Sequence, residues 1–263
     1  MIYKNLQGVP EFDCIEYEAK KTKYCLLIPI LNEGERIHKE LRRAKEVGVN
    51  TLIDIVICDG GSTDNCADDN ILRELGVNTL LTKIGTGKQG AQVRMGFWWA
   101  LGRGYEGFIT IDGNNKDSIE DVPAFIARLD EDYDFVQGSR FIKGGKAINT
   151  PFVRWLAVRL IHAPIISITA KKKFTDTTNA YRAYSKKYIT HPSVQPFRDI
   201  FSTYELLAYL SVKASRLGLK TCEIPITRQY PKNEKTPTKI KGFRGNNLLL
   251  KILFENARGK YDV

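Results

Sequence analysis

No stretch of about 18 uninterrupted apolar residues occurs in this 263-residue chain, so no helix is expected to span a membrane. Its opening residues, Met1-Ile-Tyr-Lys-Asn5, show no signal-peptide pattern. Cysteine is sparse and odd in number (Cys14, Cys25, Cys58, Cys66, Cys222), with no C-x-x-C pair. That argues against a disulfide framework and a zinc site, and makes reduced thiols in the cytoplasm the default expectation. The three histidines, His38, His162 and His191, lie far apart without metal-ligand spacing, and no Ser-His-Asp arrangement can be read. Neither G-x-G-x-x-G nor G-x-x-x-x-G-K-[ST] appears, which disfavours a dinucleotide fingerprint and a P-loop. Lys83-Ile-Gly-Thr-Gly-Lys88 has only the outline of a phosphate loop.

What remains is a globular composition, 43% hydrophobic and 27% charged, long enough for one large α/β domain with or without an extension. The formal net charge of +10 is unevenly spread. Residues 1–138 carry 16 basic and 23 acidic side chains, whereas residues 139–263 carry 24 and 7. A basic second half suits a polyanionic partner such as nucleic acid, anionic headgroups or phosphorylated ligands; a merely solvated surface fits the charge excess as well.

Apolar runs of buried-strand length occur at 24–30, 52–58, 79–82, 107–111 and 134–137. Between them lie segments of helical spacing at 33–47, 64–75, 88–101 and 118–129, the first three each followed by glycine. Strands alternating with helices predict a doubly wound, mostly parallel sheet, and uniformly apolar strands fit a sheet covered on both faces. The first 23 residues are expected to be an arm. Beyond Gly138, strands are expected at 177–184 and 221–227 and helices at 204–217 and 246–257. The segment Phe152 to Thr169 is apolar but interrupted by Arg154, Arg159 and His162; it reads equally as an interfacial helix or a buried one. From Arg228 to Gly245 the richness in Lys, Pro and Gly predicts a mobile loop.

Ligands of open parallel sheets bind at the carboxyl ends of the strands. Three polar clusters fall there: Pro29-Ile-Leu-Asn-Glu33, Asp59-Gly-Gly-Ser-Thr-Asp64 and Asp112-Gly-Asn-Asn-Lys-Asp117. One such cluster could be ordinary turn chemistry; three at one sheet edge point to a crevice with a function.

These clusters carry a resemblance. Ile28-Pro-Ile-Leu-Asn-Glu33 is similar to the P-x-x-N-E opening of family 2 glycosyltransferases. Asp59-Gly-Gly-Ser-Thr-Asp64 is similar to their D-D-G-S-x-D, with Gly60 in the second position. Asp112-Gly-Asn114 stands where the family has D-x-D. Gly138-Ser-Arg140, Asp176-Thr-Thr-Asn-Ala-Tyr-Arg182, Glu205 and Leu217-Gly-Leu…Glu223-Ile-Pro-Ile226 then resemble motifs of the dolichyl- and polyprenyl-phosphate branch, the dolichol-phosphate mannose synthase type. The resemblance runs in order from about residue 24 to 245.

It implies a Rossmann-like GT-A fold and an inverting transfer from a nucleotide sugar to polyprenyl phosphate at the cytoplasmic membrane face, the protein being attached peripherally. Donor contacts are then expected from Pro29, Asn32, Glu33, Asp59, Gly61, Ser62, Lys88 and Asp112. Mg²⁺ or Mn²⁺ is expected on Asp112 and Asn114, neutralising the departing diphosphate. Asn114 has an amide oxygen but no charge, and Lys116 stands where some relatives have a glutamine ligand. Two readings stay open: Asp112 and Asn114 still bind a metal, helped by Asp117, or Lys116 supplies part of the cation's charge and metal dependence is weak.

Arg140 and Arg182, with Arg228 and Lys239 from the basic loop, are the expected phosphate grips on the acceptor side. A phosphate oxygen is already an anionic nucleophile and needs no strong base. A sugar hydroxyl would need one, and Asp176 and Glu205 are the candidates; either could instead orient Arg182 or cap a helix. The rival readings are a family 2 enzyme with a glycan acceptor in cell-surface polysaccharide synthesis, a noncatalytic relative, and a basic nucleic-acid-binding protein. The last finds no recognised DNA or RNA motif, so no nucleic acid is expected as partner. Donor base, sugar and oligomeric state are not legible.

Overall fold

The computed structural model describes residues 1–232 and 242–263. Its strands, in chain order, are β1 (Ile2–Tyr3), β2 (Phe12–Glu16), β3 (Tyr24–Ile30), β4 (Asp54–Asp59), β5 (Thr79–Lys83), β6 (Gly107–Thr110), β7 (Phe135–Ser139), β8 (Lys146–Ile148), β9 (Arg182–Ser185), β10 (Thr221–Pro225) and β11 (Thr227–Gln229). Nine of them form one mixed sheet in the order β1-β2-β5-β4-β3-β6-β9-β7-β10, and β8 pairs with β11 in a small second sheet. The large sheet is mostly parallel; only β2 and β9 run against the rest. This is the α/β, mostly parallel sheet that the alternating pattern predicts, and the GT-A-like architecture that the resemblance implies.

Every residue of β3 and β4 is buried. Side chains of a strand alternate between faces, so both faces must be covered. Cys25 and Leu27 enter a core on one side with Val56, Met95, Phe97 and Phe108. Leu26, Ile28 and Ile30 enter the other with Ile37, Leu41, Ile55 and Ile57. Glu35–Glu46 and Val122–Asp130 lend apolar residues to the second core, whereas Gln89–Gly102 and Glu205–Arg216 belong to the first.

Three expectations are corrected. Residues 1–23 are no detached arm: β2 pairs antiparallel with β5 over Phe12 to Glu16, and Phe12 and Val9 are buried in the core. The region from Arg228 is not mobile at its start, since β11 pairs with β8 from Thr227↔Lys146 to Gln229↔Ile148 and Tyr230 is buried. Lys239 and most of the remaining basic loop lie outside the described residues, and the last helix spans Gly242–Ala257.

The third correction concerns Phe152–Ala170, a continuous 19-residue helix of mean hydropathy 1.3, long and apolar enough by length and composition to cross a membrane. Its arginines broke the apolar run that a sequence scan requires, yet they do not break the helix. Only 17% of its apolar window is buried. Phe152, Val153, Leu160 and Ile168 are 67–78% exposed, so it is not a core helix. A π turn over Val158–His162 precedes Pro164, whose missing N–H cannot make the ordinary bond to Leu160.

Candidate active site

β3 and β4 end side by side, Ile30 paired with Asp59, and this brings the first two polar clusters into contact. Asp59 is 2% exposed, and its carboxylate accepts from the backbone N–H groups of Gly61 and Ser62 and from Ser62 Oγ. It therefore shapes its own turn. Ser62 Oγ in turn accepts from Asn32 N at 2.9 Å, and Asn32 Oδ1 accepts from Thr63 N at 2.8 Å. Asp64 accepts from Gly34 N. Glu33, the neighbour of this turn, accepts from Arg36. Asn32, Asp59, Gly61, Ser62 and Thr63 are thus one interlocked corner, with Pro29 beside it in the sheet, paired with Cys58, and Glu33 next to Asn32 in the chain.

Gly60, the departure from D-D-G-S, has a local cause. A Cβ there would lie 3.0 Å from Gln92 Nε2. That amide donates to both Ile30 O (2.6 Å) and Cys58 O (2.7 Å), bridging the ends of β3 and β4. A side chain at 60 would crowd this bridge. Lys88 is exposed and immediately precedes the helix Gln89–Gly102, on the same side of the sheet ends.

The third cluster follows β6. Gly113 is required by packing, because a Cβ would come within 2.6 Å of Ile30 Cγ2. Asn115 has φ 56° and donates its N–H to buried Glu40. Asp112 accepts from Gln89 Nε2 at 3.0 Å and from Arg228 Nη2 at 3.3 Å. Arg228 Nη1 donates to Asp117, which is fully buried. Burial would raise the Asp112 carboxyl, but the charges of Arg228 and Lys116 overcome it and hold the group below the ordinary carboxylate range. Asp117 is left above its ordinary value by burial, despite Arg228. Lys116, 5% exposed, is pulled down to about 8, chiefly by burial and then by Arg228.

Asp112 and Asn114 can offer oxygens to a divalent cation. Asn114 Oδ1 is a buried acceptor with no hydrogen-bond partner in the protein, the kind of atom an ion would satisfy. Asp117, the expected helper, gives Oδ2 to Arg228 Nη1 and keeps Oδ1 buried without a hydrogen-bond partner. Among the described residues, no three His, Cys, Asp or Glu side chains are grouped to hold a metal.

The proposed acceptor side differs most from expectation. Arg182 is 1% exposed and donates to the carbonyls of Asn179, Leu207 and Thr177 at 3.0, 2.6 and 2.9 Å. It ties β9 to the helix Glu205–Arg216 and does not face a phosphate. Asp176 is fully buried and accepts from Arg140 Nε (2.6 Å) and Nη2 (2.9 Å) and from Asn179 Nδ2 (3.0 Å). Arg140 holds its carboxyl below the ordinary range against the push of burial, so it is a poor base. Glu205 accepts from Thr203 N and Oγ1, two residues back at the entry to its own helix, so its carboxylate is taken up locally. Arg228 is 4% exposed and tied to two aspartates beside the donor crevice; it is not a grip on a mobile loop. Arg140 keeps one nitrogen, Nη1, buried and without a partner.

Sequence reasoning does not find Gln89, Gln92, Glu40 or Tyr230. The glutamines were within reach of the strand-end rule, since their helix starts directly after β5. Tyr230 had no signal. Its buried ring has Lys116, Arg154 and Arg228 at 5.3, 5.6 and 5.8 Å from its centroid, and its hydroxyl accepts from Arg154 Nη1 at 3.3 Å. Burial would raise the phenol; Arg228, Arg140 and Arg154 bring it down to about 8.

The chain is similar to several proteins of known kind. An undecaprenyl-phosphate mannosyltransferase of Micrococcus luteus is 26% identical over 219 residues, 82% of this chain and 86% of that protein. A polyprenol monophosphomannose synthase of Mycolicibacterium smegmatis is 23% identical over 240 residues, covering 90% and 88%. A glucosyl-3-phosphoglycerate synthase from Mycobacterium tuberculosis, solved with Mn²⁺, UDP-glucose and phosphoglyceric acid, shares the fold with a TM-score of 0.64 at 14% identity, covering 90% of this chain and 80% of that one. The family model "Glycosyl transferase family 2" matches residues 25–191, from the start of β3 through Asp59, Asp112, Arg140 and Asp176, and the chain is therefore a glycosyltransferase belonging to that family.

Proposed function

We propose that this glycosyltransferase moves a sugar, with inversion, from a nucleotide-sugar donor to polyprenyl phosphate at the cytoplasmic face of a membrane. The observation that carries the reading is a continuous line of contacts from the donor crevice to an exposed apolar helix. Asp112 pairs with Arg228, Arg228 and Lys116 lie over Tyr230, and Tyr230 accepts from Arg154 on Phe152–Ala170. That helix presents Phe152, Val153, Leu160 and Ile168 to the outside beside Arg154 and Arg159, which suits seating among acyl chains and anionic headgroups. The two mannosyltransferase relatives, named for polyprenyl-phosphate acceptors, support the same reading.

The donor base and ribose would meet the corner of Asn32, Asp59, Gly61 and Ser62, beside Pro29 and Glu33, with Lys88 and Asp112 towards the diphosphate. Mg²⁺ or Mn²⁺, held by Asp112 and Asn114, would supply positive charge as the nucleoside diphosphate departs. On the acceptor side the unpartnered Nη1 of Arg140, with Arg154, offers charge-assisted donors to a phosphate. A phosphate oxygen attacks as an anion, so the commitment of Asp176 and Glu205 to other contacts is no obstacle.

The test uses purified protein, polyprenyl phosphate, a panel of labelled nucleotide sugars and Mg²⁺ or Mn²⁺. Label entering the organic phase from one donor, and absent with Asp112→Ala, is expected. Label transferred only to a soluble glycan would overturn the acceptor assignment.

A further inference from the structure

Resting on the donor-site reading above, we propose that Gln92 is a positioning residue of the donor crevice: by bridging the ends of β3 and β4 it sets the spacing of the two turns that receive the nucleotide, and donor affinity depends on that bridge. Ile30 and Asp59 are the last paired residues of the two strands, and Gly60 N donates to Ile30 O at 2.9 Å. Two residues further on, both chains are in the left-handed region, Asn32 at φ 48° and Gly61 at φ 91°. The turns then meet through Asn32 N on Ser62 Oγ and Thr63 N on Asn32 Oδ1, contacts of 2.9 and 2.8 Å that require one spacing of the strand ends. Gln92 fixes that spacing from behind. Its side-chain amide has two hydrogens, and each goes to a different strand, to Ile30 O at 2.6 Å and to Cys58 O at 2.7 Å.

The glutamine has a rigid mount. It is buried, and its helix, Gln89–Gly102, touches β3 and β4 closely: a Cβ on Gly96 would come 2.8 Å from Cys58 Sγ and 3.1 Å from Leu27 Cδ1. The first turn is pinned as well, since Lys88 N donates to Ser202 O at 2.9 Å and a Cβ on Gly90 would lie 2.5 Å from Phe201 O. Gln89, three residues before Gln92 and on the same helix face, donates to Asp112 Oδ1 at 3.0 Å. One helix face therefore ties together the ends of β3 and β4 and the loop after β6, where the three polar clusters stand. Gly60 belongs to the same device. The motif that this turn resembles has a carboxylate in its second position; here the Gln92 amide lies 3.0 Å from where a Cβ of residue 60 would be, so the glycine leaves the room that the glutamine fills. A buried amide would tie two strands together anywhere in the sheet. Placed at their ligand end, it also shapes the site.

The experiment first selects, from GDP, UDP, ADP, CDP and dTDP in Mn²⁺, the nucleotide that most raises the melting temperature. Its affinity for wild type and variants is then titrated calorimetrically at a temperature where each is folded. Gln92→Ala is expected to bind about tenfold more weakly, because the corner is no longer held ready for the ligand. Gly60→Ala, which crowds the amide without removing it, should bind about threefold more weakly with little change in melting temperature. In the Gln92→Ala background Gly60→Ala should cost no further affinity, because no amide is left to crowd. Gln92→Ala that binds as wild type, however far its melting temperature falls, overturns the proposal and leaves Gln92 a structural tie; so does a Gly60→Ala effect of equal size in both backgrounds. Should Gln92→Ala not fold, Gly60→Ala carries the test alone, and wild-type affinity there overturns the proposal. No melting shift of the wild type with any nucleotide instead overturns the donor-site reading on which it rests.

Discussion

Replacing Asp176 by alanine separates a structural carboxylate from a catalytic base. In the folded protein Asp176 is fully buried and takes three hydrogen bonds from Arg140, through N, Nε and Nη2, and one from Asn179. Removing it leaves the Arg140 guanidinium, itself 3% exposed, buried without a counter-charge. Breaking such a pair costs about 3–5 kcal/mol. For a domain of this size each kcal/mol shifts the melting temperature by about 2–4 °C, so a fall of about 6–20 °C is expected. Thermal unfolding followed by far-UV circular dichroism measures it. Two controls sharpen the result. A double variant, Arg140→Leu with Asp176→Leu, should recover much of the loss, since it removes both charges. The gap between wild type and Asp176→Ala should also narrow in acid. The Asp176 carboxyl is held below its unfolded value, so its contribution is present above about pH 4 and disappears as pH falls through the folded value. A shift worth less than about 1 kcal/mol, accompanied by complete loss of turnover, would refute the structural assignment and restore Asp176 as a base.

Three further outcomes are expected. Asp112→Ala should lower turnover by about a hundredfold or more while leaving the far-UV spectrum unchanged, because its carboxylate holds Gln89 and Arg228 at the crevice and not the core; full activity would remove the donor site from this loop. Glu40→Gln should alter the pH dependence of stability. Burial raises the Glu40 carboxyl well above its ordinary range, the Asn115 N–H opposes this, and Asp117 and Asp112 add to it. Its stabilising share is thus complete below about pH 4 and declines as pH rises towards the folded value, so melting curves from about pH 5 to about pH 8 should show wild type losing ground to Glu40→Gln. Parallel curves would contradict that. Leu160→Glu and Ile168→Glu should each weaken binding to anionic phospholipid vesicles by about tenfold, measured by co-sedimentation, with unchanged melting temperatures because both side chains are exposed. Undiminished binding would move the membrane contact elsewhere.

The sequence alone determined the features that local patterns encode. The runs Tyr24–Ile30 and Leu52–Cys58 read as buried strands because they are almost wholly apolar, and the structure has strands at Tyr24–Ile30 and Asp54–Asp59. The crevice was legible because strand-end chemistry follows from strand order and direction. The family motifs fall on that same edge. Tertiary structure decided matters that depend on partners remote in the chain. Phe12 to Glu16 became sheet because β5 offered an open edge 67 residues away, which no local propensity announces. Arg182 and Arg140 look alike in sequence, since a guanidinium bonds carbonyl, carboxylate or phosphate equally readily; packing assigned the first to three carbonyls and the second to Asp176. Arg228 sits in a Lys-, Pro- and Gly-rich stretch that reads as loop, yet its contact with Asp117, 111 residues earlier, buries it in the donor crevice. Phe152–Ala170 has the composition of a core helix or an interfacial one. Its surface was settled by which neighbours the fold placed against it, and they cover little more than Val158, Ala163, Ile166 and Ala170.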